Sequence, residues 1–160
     1  MTYSLRPALP ADHADLAILF QAAIEELAFN DIDEAQRVAW QAKSEDAAAW
    51  SKQLSALLTL IAEEDGEPVG FAAMRDNSIV EHVYVHPDLA FMGVGTQLID
   101  ALERLAAARG SRKLEVAATD NAREFFERLG FTPVRRATLA TGEPNWLPTT
   151  IMTKTIGEGG

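Results

Sequence analysis

The hydrophobic positions of this chain change period several times, and each change marks an element. Leu16, Leu19, Ala23 and Leu27 recur three and four residues apart, the spacing of one helical face, and Asp12 stands where an N-cap belongs. The preceding "LRPALP" predicts a short extended segment. "DIDEAQRVAWQAK" (31–43) and "SEDAAAWSKQLSALL" (44–58) predict two more helical pieces, the second capped by Ser44 without a full capping box. From there the period falls to two. "LTLIAEED" predicts a strand ending at 65, "DGEP" a turn, "PVGFAAMRD" (68–76) its hairpin partner, and "SIVEHVYVH" (78–86) a third strand. The helical period returns with Val94, Leu98, Leu102 and Leu105 and stops at Gly110. "RKLEVAAT" (112–119) predicts a strand. "DNAREFFERLG" (120–130) predicts a short helix capped by Asp120 or Asn121. "FTPVRRATLA" and "LPTTIMTKTI" predict closing strands around the turn "TGEPN". This order predicts an α/β (α+β) fold with a mixed sheet and helices on both faces. One domain spans 1–156, and 157–160 are expected to be a disordered tail.

Composition narrows the function. The 160 residues contain no cysteine, which removes disulfides, thiolate metal sites and a cysteine nucleophile. No apolar run approaches the ~18 residues of a membrane span, and "MTYSLRPALP" lacks the layout of a signal peptide. A cytoplasmic protein is expected. The formal net charge of −10 disfavours nucleic acid as a partner and would attract a cationic one, although solubility alone accounts for such a charge.

The stretch "HPDLAFMGVGTQL" (86–98) carries the chemistry. Gly93 and Gly95 follow a strand and open a helix, where main-chain N–H groups and the helix dipole converge on an anion. A plain tight turn would use the same glycines. The stretch lacks the third glycine of a dinucleotide fingerprint and the Gly-Lys-Ser/Thr ending of a nucleotide-triphosphate loop.

With "VYVHPD" before it and "LEVAATDNAREFFERLGF" after it, the stretch resembles the GNAT superfamily of acyl-CoA-dependent N-acyltransferases, most clearly over residues 57–135. The resemblance implies a single-domain, largely antiparallel twisted sheet with a central splayed strand pair. It implies that Met92, Gly93, Val94, Gly95 and Thr96 bind the pyrophosphate of coenzyme A. The backbones of Val83 and Val85 would pair with the pantetheine amides. Asn121 and Phe126 would lie at the thioester end, acetyl-CoA would be the acyl donor, and a homodimer is common. Two positions depart from the pattern. Ala90 stands for the usual Gln or Arg and Phe91 for a glycine, which removes one side-chain phosphate contact. Phe126 stands where many members carry a Tyr that protonates the departing thiolate, as in a branch with Phe-Phe here.

Acetyl transfer to an amine needs a neutral amine, although an alkylammonium of pKa near ~10.4 is mostly charged at neutral pH. It also needs donors for the tetrahedral oxyanion and a thiolate that leaves, which a thiol of pKa around ~8.5 does without a strong acid. Strand alternation places Ile79, Glu81, Val83 and Val85 on one face and Val80, His82, Tyr84 and His86 on the other. Glu81, a charge among apolar neighbours, is the first candidate base and His82 the second. Pairing of Glu81 with a basic side chain and a base-free mechanism remain open beside them. His82 and His86 would lie roughly 13 Å apart on a strand at ~3.3 Å per residue, too far to share a metal ion, and no metal is expected. Glu25, Trp40, Trp50 and Trp146 are candidates for the acceptor pocket, with core packing as the alternative for the tryptophans.

The sequence therefore predicts an N-acetyltransferase that acts on a primary amine of a small molecule or protein by direct attack in a ternary complex. No Ser/His/Asp arrangement for an acyl-enzyme is legible. The alternative is a module that binds acyl-CoA without turning it over. A nucleotide-binding regulator would need a lysine in or just after the loop, and none occurs before Lys113.

Overall fold

The computed structural model describes residues 3–27, 34–89, 92–142 and 145–157. Its strands are β1 (Ser4–Pro7), β2 (Leu58–Glu64), β3 (Glu67–Arg75), β4 (Ile79–Val85), β5 (Lys113–Thr119), β6 (Thr132–Gly142) and β7 (Asn145–Thr155). Its helices are α1 (His13–Leu27), α2 (Glu34–Gln41), α3 (Ala47–Ser55), α4 (Val94–Ala108) and α5 (Arg123–Arg128). The β2–β3 hairpin closes through Asp65 and Gly66, both at positive φ, the conformation that matches the twist of two adjoining strands. Asp76 and Asn77 also sit at positive φ before β4, a conformation their short polar side chains tolerate.

The strands form one sheet in the order β1-β2-β3-β4-β5-β7-β6. Every neighbouring pair is antiparallel except β4–β5. Each face is covered by helices and buries its own core. On one face Leu98, Ile99, Leu102 and Ala106 of α4, with Phe126 of α5, pack on Leu60, Met74, Val80, Leu114 and Met152. On the other, Leu16, Phe20 and Ile24 of α1 pack with Trp40, Trp50 and Leu54 on Ile61 and Phe71. The mixed sheet with helices on both faces, expected from the element order, is the fold observed.

The helix ends differ from the sequence reading in three places. Asp12 closes a 3-10 turn rather than capping α1, and its carboxylate turns back to Arg6 and to the N–H of Leu9. Asp46, not Ser44, caps α3 by accepting from the N–H of Ala49 at 3.0 Å. Ser44 is buried and hydrogen-bonds Gln41 and Gln21 instead. Neither Asp120 nor Asn121 caps α5, whose N-cap is Ala122, because both side chains are engaged elsewhere. The closing strands β6 and β7 are longer than expected and reach Gly142 and Asn145. Residues 158–160 of the expected tail lie outside the described residues.

Candidate active site

The sheet opens at its centre. Strands β4 and β5 pair only at Ile79 with Glu115 and Val80 with Val116, although β4 continues to Val85 and β5 to Thr119. The break coincides with a bulge. On β3, Ala73 pairs with His82 and Met74 with Val80, so Glu81 is the extra residue without a partner. A bulge bends and twists its strand, and here it sits one residue beyond the last β4–β5 pair. The N–H of His86 donates to Val69 on β3 at 2.8 Å. With successive backbone groups pointing to opposite edges, those of Val83 and Val85 face the opening toward β5. A cavity of about 1080 Å³ fills the wedge, bounded by β4, Ala117–Thr119 of β5, the start of α4, and α5. Its size suits a cofactor-sized ligand.

The first turn of α4 borders this cavity. Gly93 is its N-cap at φ 89°, ψ 0°, a conformation that disfavours any residue with a Cβ. No side chain caps the helix, and the first helical N–H with an intrahelical acceptor is that of Gln97, bonded to Gly93. Among the described residues, the N–H groups of Val94, Gly95 and Thr96 are thus unspent at the positive end of a 15-residue helix. Gly95 serves packing: a Cβ there would lie 3.1 Å from the Phe125 ring. Gly70, on the strand beneath, has the same task. A Cβ there would lie 2.9 Å from Val94 Cγ1 and 3.1 Å from the Tyr84 carbonyl oxygen. The N–H of Met92 is already spent on Leu89, and Ala90 and Phe91 lie outside the described residues.

Beyond β4 the cavity reaches Ala23 of α1 and Trp40 of α2. The bulge corrects the expected alternation. Val80 belongs to the α4 core with Val83 and Val85 packed against it, whereas His82 and Tyr84 enter the opposite ring cluster. Arg75 Nε donates to Glu81 Oε1 at 2.6 Å, so Glu81 has a basic partner at the cavity edge. The His82 ring lies 5.7–6.0 Å from those of Phe20, Trp50, Phe71 and Tyr84, and among the described residues neither of its nitrogens has a hydrogen-bond partner. Burial pulls its pKa down to about 4 against the attraction of Glu81, and Lys43 pulls the same way as burial. Burial pushes the Tyr84 hydroxyl up, opposed by the indole of Trp40. Burial also lowers the ammonium of Lys43, opposed by Glu81.

Of the residues singled out in the sequence, the structure gathers Glu81, His82, Val83, Val85, Gly93, Val94, Gly95, Thr96, Asn121, Phe126 and Trp40 around this one cavity. Trp50 is 1% exposed and donates from Nε1 to the His13 carbonyl, which makes it part of the core behind the cavity. Glu25 is drawn to Arg37 and Gln41 and does not line the cavity. The backbone of Trp146 lies in β7, and its side chain is outside the described residues. Sequence reasoning missed Arg75, Gly70 and Thr119. Gly70 alone carried a signal, as a glycine inside a strand pattern. Among the described residues no group of three His, Asp or Glu side chains could hold a metal ion, and no helix is long and apolar enough to cross a membrane.

A family model for the acetyltransferase (GNAT) domain matches residues 28–156. The chain is 46% identical to a GCN5-related N-acetyltransferase from Rhodopseudomonas palustris of known structure, with a TM-score of 0.94 over 98% of this chain and 97% of that one. It is 28% identical to the uncharacterized N-acetyltransferase YafP of Escherichia coli, over 79% of each chain. The structure of YncA, a putative acetyltransferase from Salmonella typhimurium with its cofactor acetyl-CoA, superimposes with a TM-score of 0.66 at 25% identity, covering 100% of this chain and 97% of that one.

Proposed function

The chain belongs to the GNAT family of acetyltransferases, and on that premise we propose that it transfers an acetyl group from acetyl-CoA to a primary amine by direct attack in a ternary complex. The observation that carries this reading is the wedge. One cavity joins the unpaired β4 edge at Val83 and Val85 to the unspent N–H groups of α4. Those donors suit the amides and the pyrophosphate of coenzyme A, which would supply the acyl group as an activated thioester. Val94, Gly95 and Thr96 bind the pyrophosphate through the main chain. A β4 N–H polarises the carbonyl at which charge develops. The acceptor enters from the side of α1 and α2 and rests on Trp40 and Tyr84. Glu81 takes the proton from the attacking nitrogen. Arg75 holds its Oε1, and Oε2 makes no hydrogen bond among the described residues. Phe126, 4% exposed and stacked edgewise on Phe125 and Phe131, offers no proton, so the thiolate leaves unassisted by that position.

Calorimetric titration with acetyl-CoA, coenzyme A and ATP tests the reading. Acetyl-CoA and coenzyme A are expected to bind and ATP not to. A panel of primary amines then measures coenzyme A release, with Glu81→Gln lowering kcat and leaving acetyl-CoA affinity unchanged. Absence of acetyl-CoA binding at millimolar concentration would overturn the reading. Binding without release of coenzyme A on any amine would favour a non-catalytic acyl-CoA module.

A further inference from the structure

The turn between β5 and α5 assigns a further role. Its three polar residues, Thr119, Asp120 and Asn121, precede a helix that none of them caps. Asp120 is taken by Arg136 of β6 at 2.8 Å, and the same Arg136 nitrogen donates to Thr150 of β7, tying the turn to the closing hairpin. The N–H of Ala122 donates to the Thr119 carbonyl at 2.9 Å and closes the turn. The hydroxyl of Thr119 lies 2.6 Å from Asn121 Oδ1. That distance fits O–H···O and is short for an amide N–H donor, which prefers about 2.9–3.0 Å. Thr119 therefore donates, the Asn121 carbonyl accepts, and the Asn121 NH2 group is the one side-chain donor of the turn left without a partner among the described residues. Thr119 and Asn121 both line the wedge opposite the unpaired edge of β4.

We infer that Thr119 is a positioning residue. It fixes which end of the Asn121 amide meets the acyl-CoA, so that Asn121 presents a donor to the pantetheine arm and not an acceptor. The inference rests on the acyl-CoA reading of the wedge. An amide free to rotate would also present its carbonyl, which would repel the carbonyl oxygens of that arm. The hydrogen bond from Thr119 removes the wrong rotamer before the ligand arrives.

Calorimetry on Thr119→Val, Thr119→Ser, Asn121→Ala and the Thr119→Val/Asn121→Ala double variant tests this, with two ligands. One is acetyl-CoA. The other is adenosine 3′,5′-bisphosphate, which has no pantetheine. Loss of one hydrogen bond predicts acetyl-CoA binding about 5–10-fold weaker in Thr119→Val, unchanged bisphosphate binding, and recovery in Thr119→Ser. In the double variant, removal of Thr119 is expected to cost nothing beyond Asn121→Ala. The inference is overturned if Thr119→Val weakens both ligands equally, if Ser does not restore binding, or if the two losses multiply. Thermal melting of each variant separates unfolding from lost affinity, and Thr119→Ala, with the same expected loss, takes the place of Thr119→Val if that variant does not fold. A wild-type protein that does not bind acetyl-CoA overturns the acyl-CoA reading itself; one that binds it, with Thr119→Val binding equally well, overturns this inference alone.

Discussion

Gly93 separates the stability of the α4 cradle from its proposed use. Its φ of 89° costs any other residue about 1–2 kcal/mol, a fall in Tm of roughly 3–6 °C for a chain of this size. A Cβ at Gly93 would meet no atom within 4 Å, so strain is the whole cost and a longer side chain has room. Gly93→Gln and Gly93→Glu therefore share the same strain. They differ by one charge at the positive end of α4. For the free protein that charge is favourable, by about 0.3–1 kcal/mol, so Gly93→Glu is expected to melt slightly above Gly93→Gln.

For the complex the sign reverses. A carboxylate about 5 Å from one phosphate charge, at an effective dielectric of about 20, raises the energy by about 3 kcal/mol, roughly a hundredfold in affinity. Calorimetry with coenzyme A at low and high salt measures this, and salt is expected to narrow the gap because the site is open to solvent. Equal affinity of the Gln and Glu variants would refute the argument, since it would mean that no anion sits at this helix end. A Glu variant that melts below the Gln variant would refute the electrostatic half independently of any ligand.

Two other positions give sharp expectations. Gly70→Ala sets a methyl 2.9 Å from Val94 Cγ1 and 3.1 Å from a backbone oxygen. It should cost about 1–3 kcal/mol in urea titration, and Val94→Ala should recover only part of it, since the backbone contact remains. His82→Phe should change how stability depends on pH. An unfolded imidazole takes its proton near pH ~6.5 while the folded one waits until about 4. The unfolded state thus binds more protons through that window, and native stability falls as pH falls through it. From pH 7 to pH 5 the wild type should lose about 2 kcal/mol that the Phe variant keeps; parallel losses would mean that His82 titrates normally.

The sequence was most informative where one physical pattern had one structural solution. The return of helical spacing at Val94, Leu98 and Leu102 after a run of alternation located α4, and all three residues are buried against the sheet. Gly93 and Gly95 marked the loop, but for two separate reasons that spacing alone does not distinguish: one supplies a left-handed cap and the other makes room for Phe125. Caps were less legible, because Asp and Asn side chains near a helix start have several partners to choose from. Asp12 finds Arg6 and Asp120 finds Arg136, six and sixteen residues away in sequence and brought near only by the sheet. Strand alternation failed at Glu81, since a bulge inserts a residue without changing the composition of the strand that carries it.

That failure and the site share a cause. A regular β4 would continue its ladder with β5 beyond Val80, and the backbone groups of Val83 and Val85 would be spent within the sheet. The unpaired Glu81 bends β4 just after its last bond to β5. Its other edge stays tied to β3 from His82 at Ala73 to Val85 at Gly70. The strand is thus released on one side and held on the other, so its free donors keep their directions before any ligand arrives. Preorganised donors of this kind need no rearrangement when charge develops near them. The same residue that opens the wedge also carries the carboxylate at the cavity edge, which places the proposed proton acceptor beside the free backbone donors by construction. Restoring regular pairing, by deletion of Glu81, should close the wedge and abolish acetyl-CoA binding while leaving Tyr84 on its present face, since Val80 and His82 already pair with successive residues of β3, whereas Glu81→Gln should leave binding intact. If the deletion variant folds and still binds acetyl-CoA with wild-type affinity, the bulge is not what holds the sheet open.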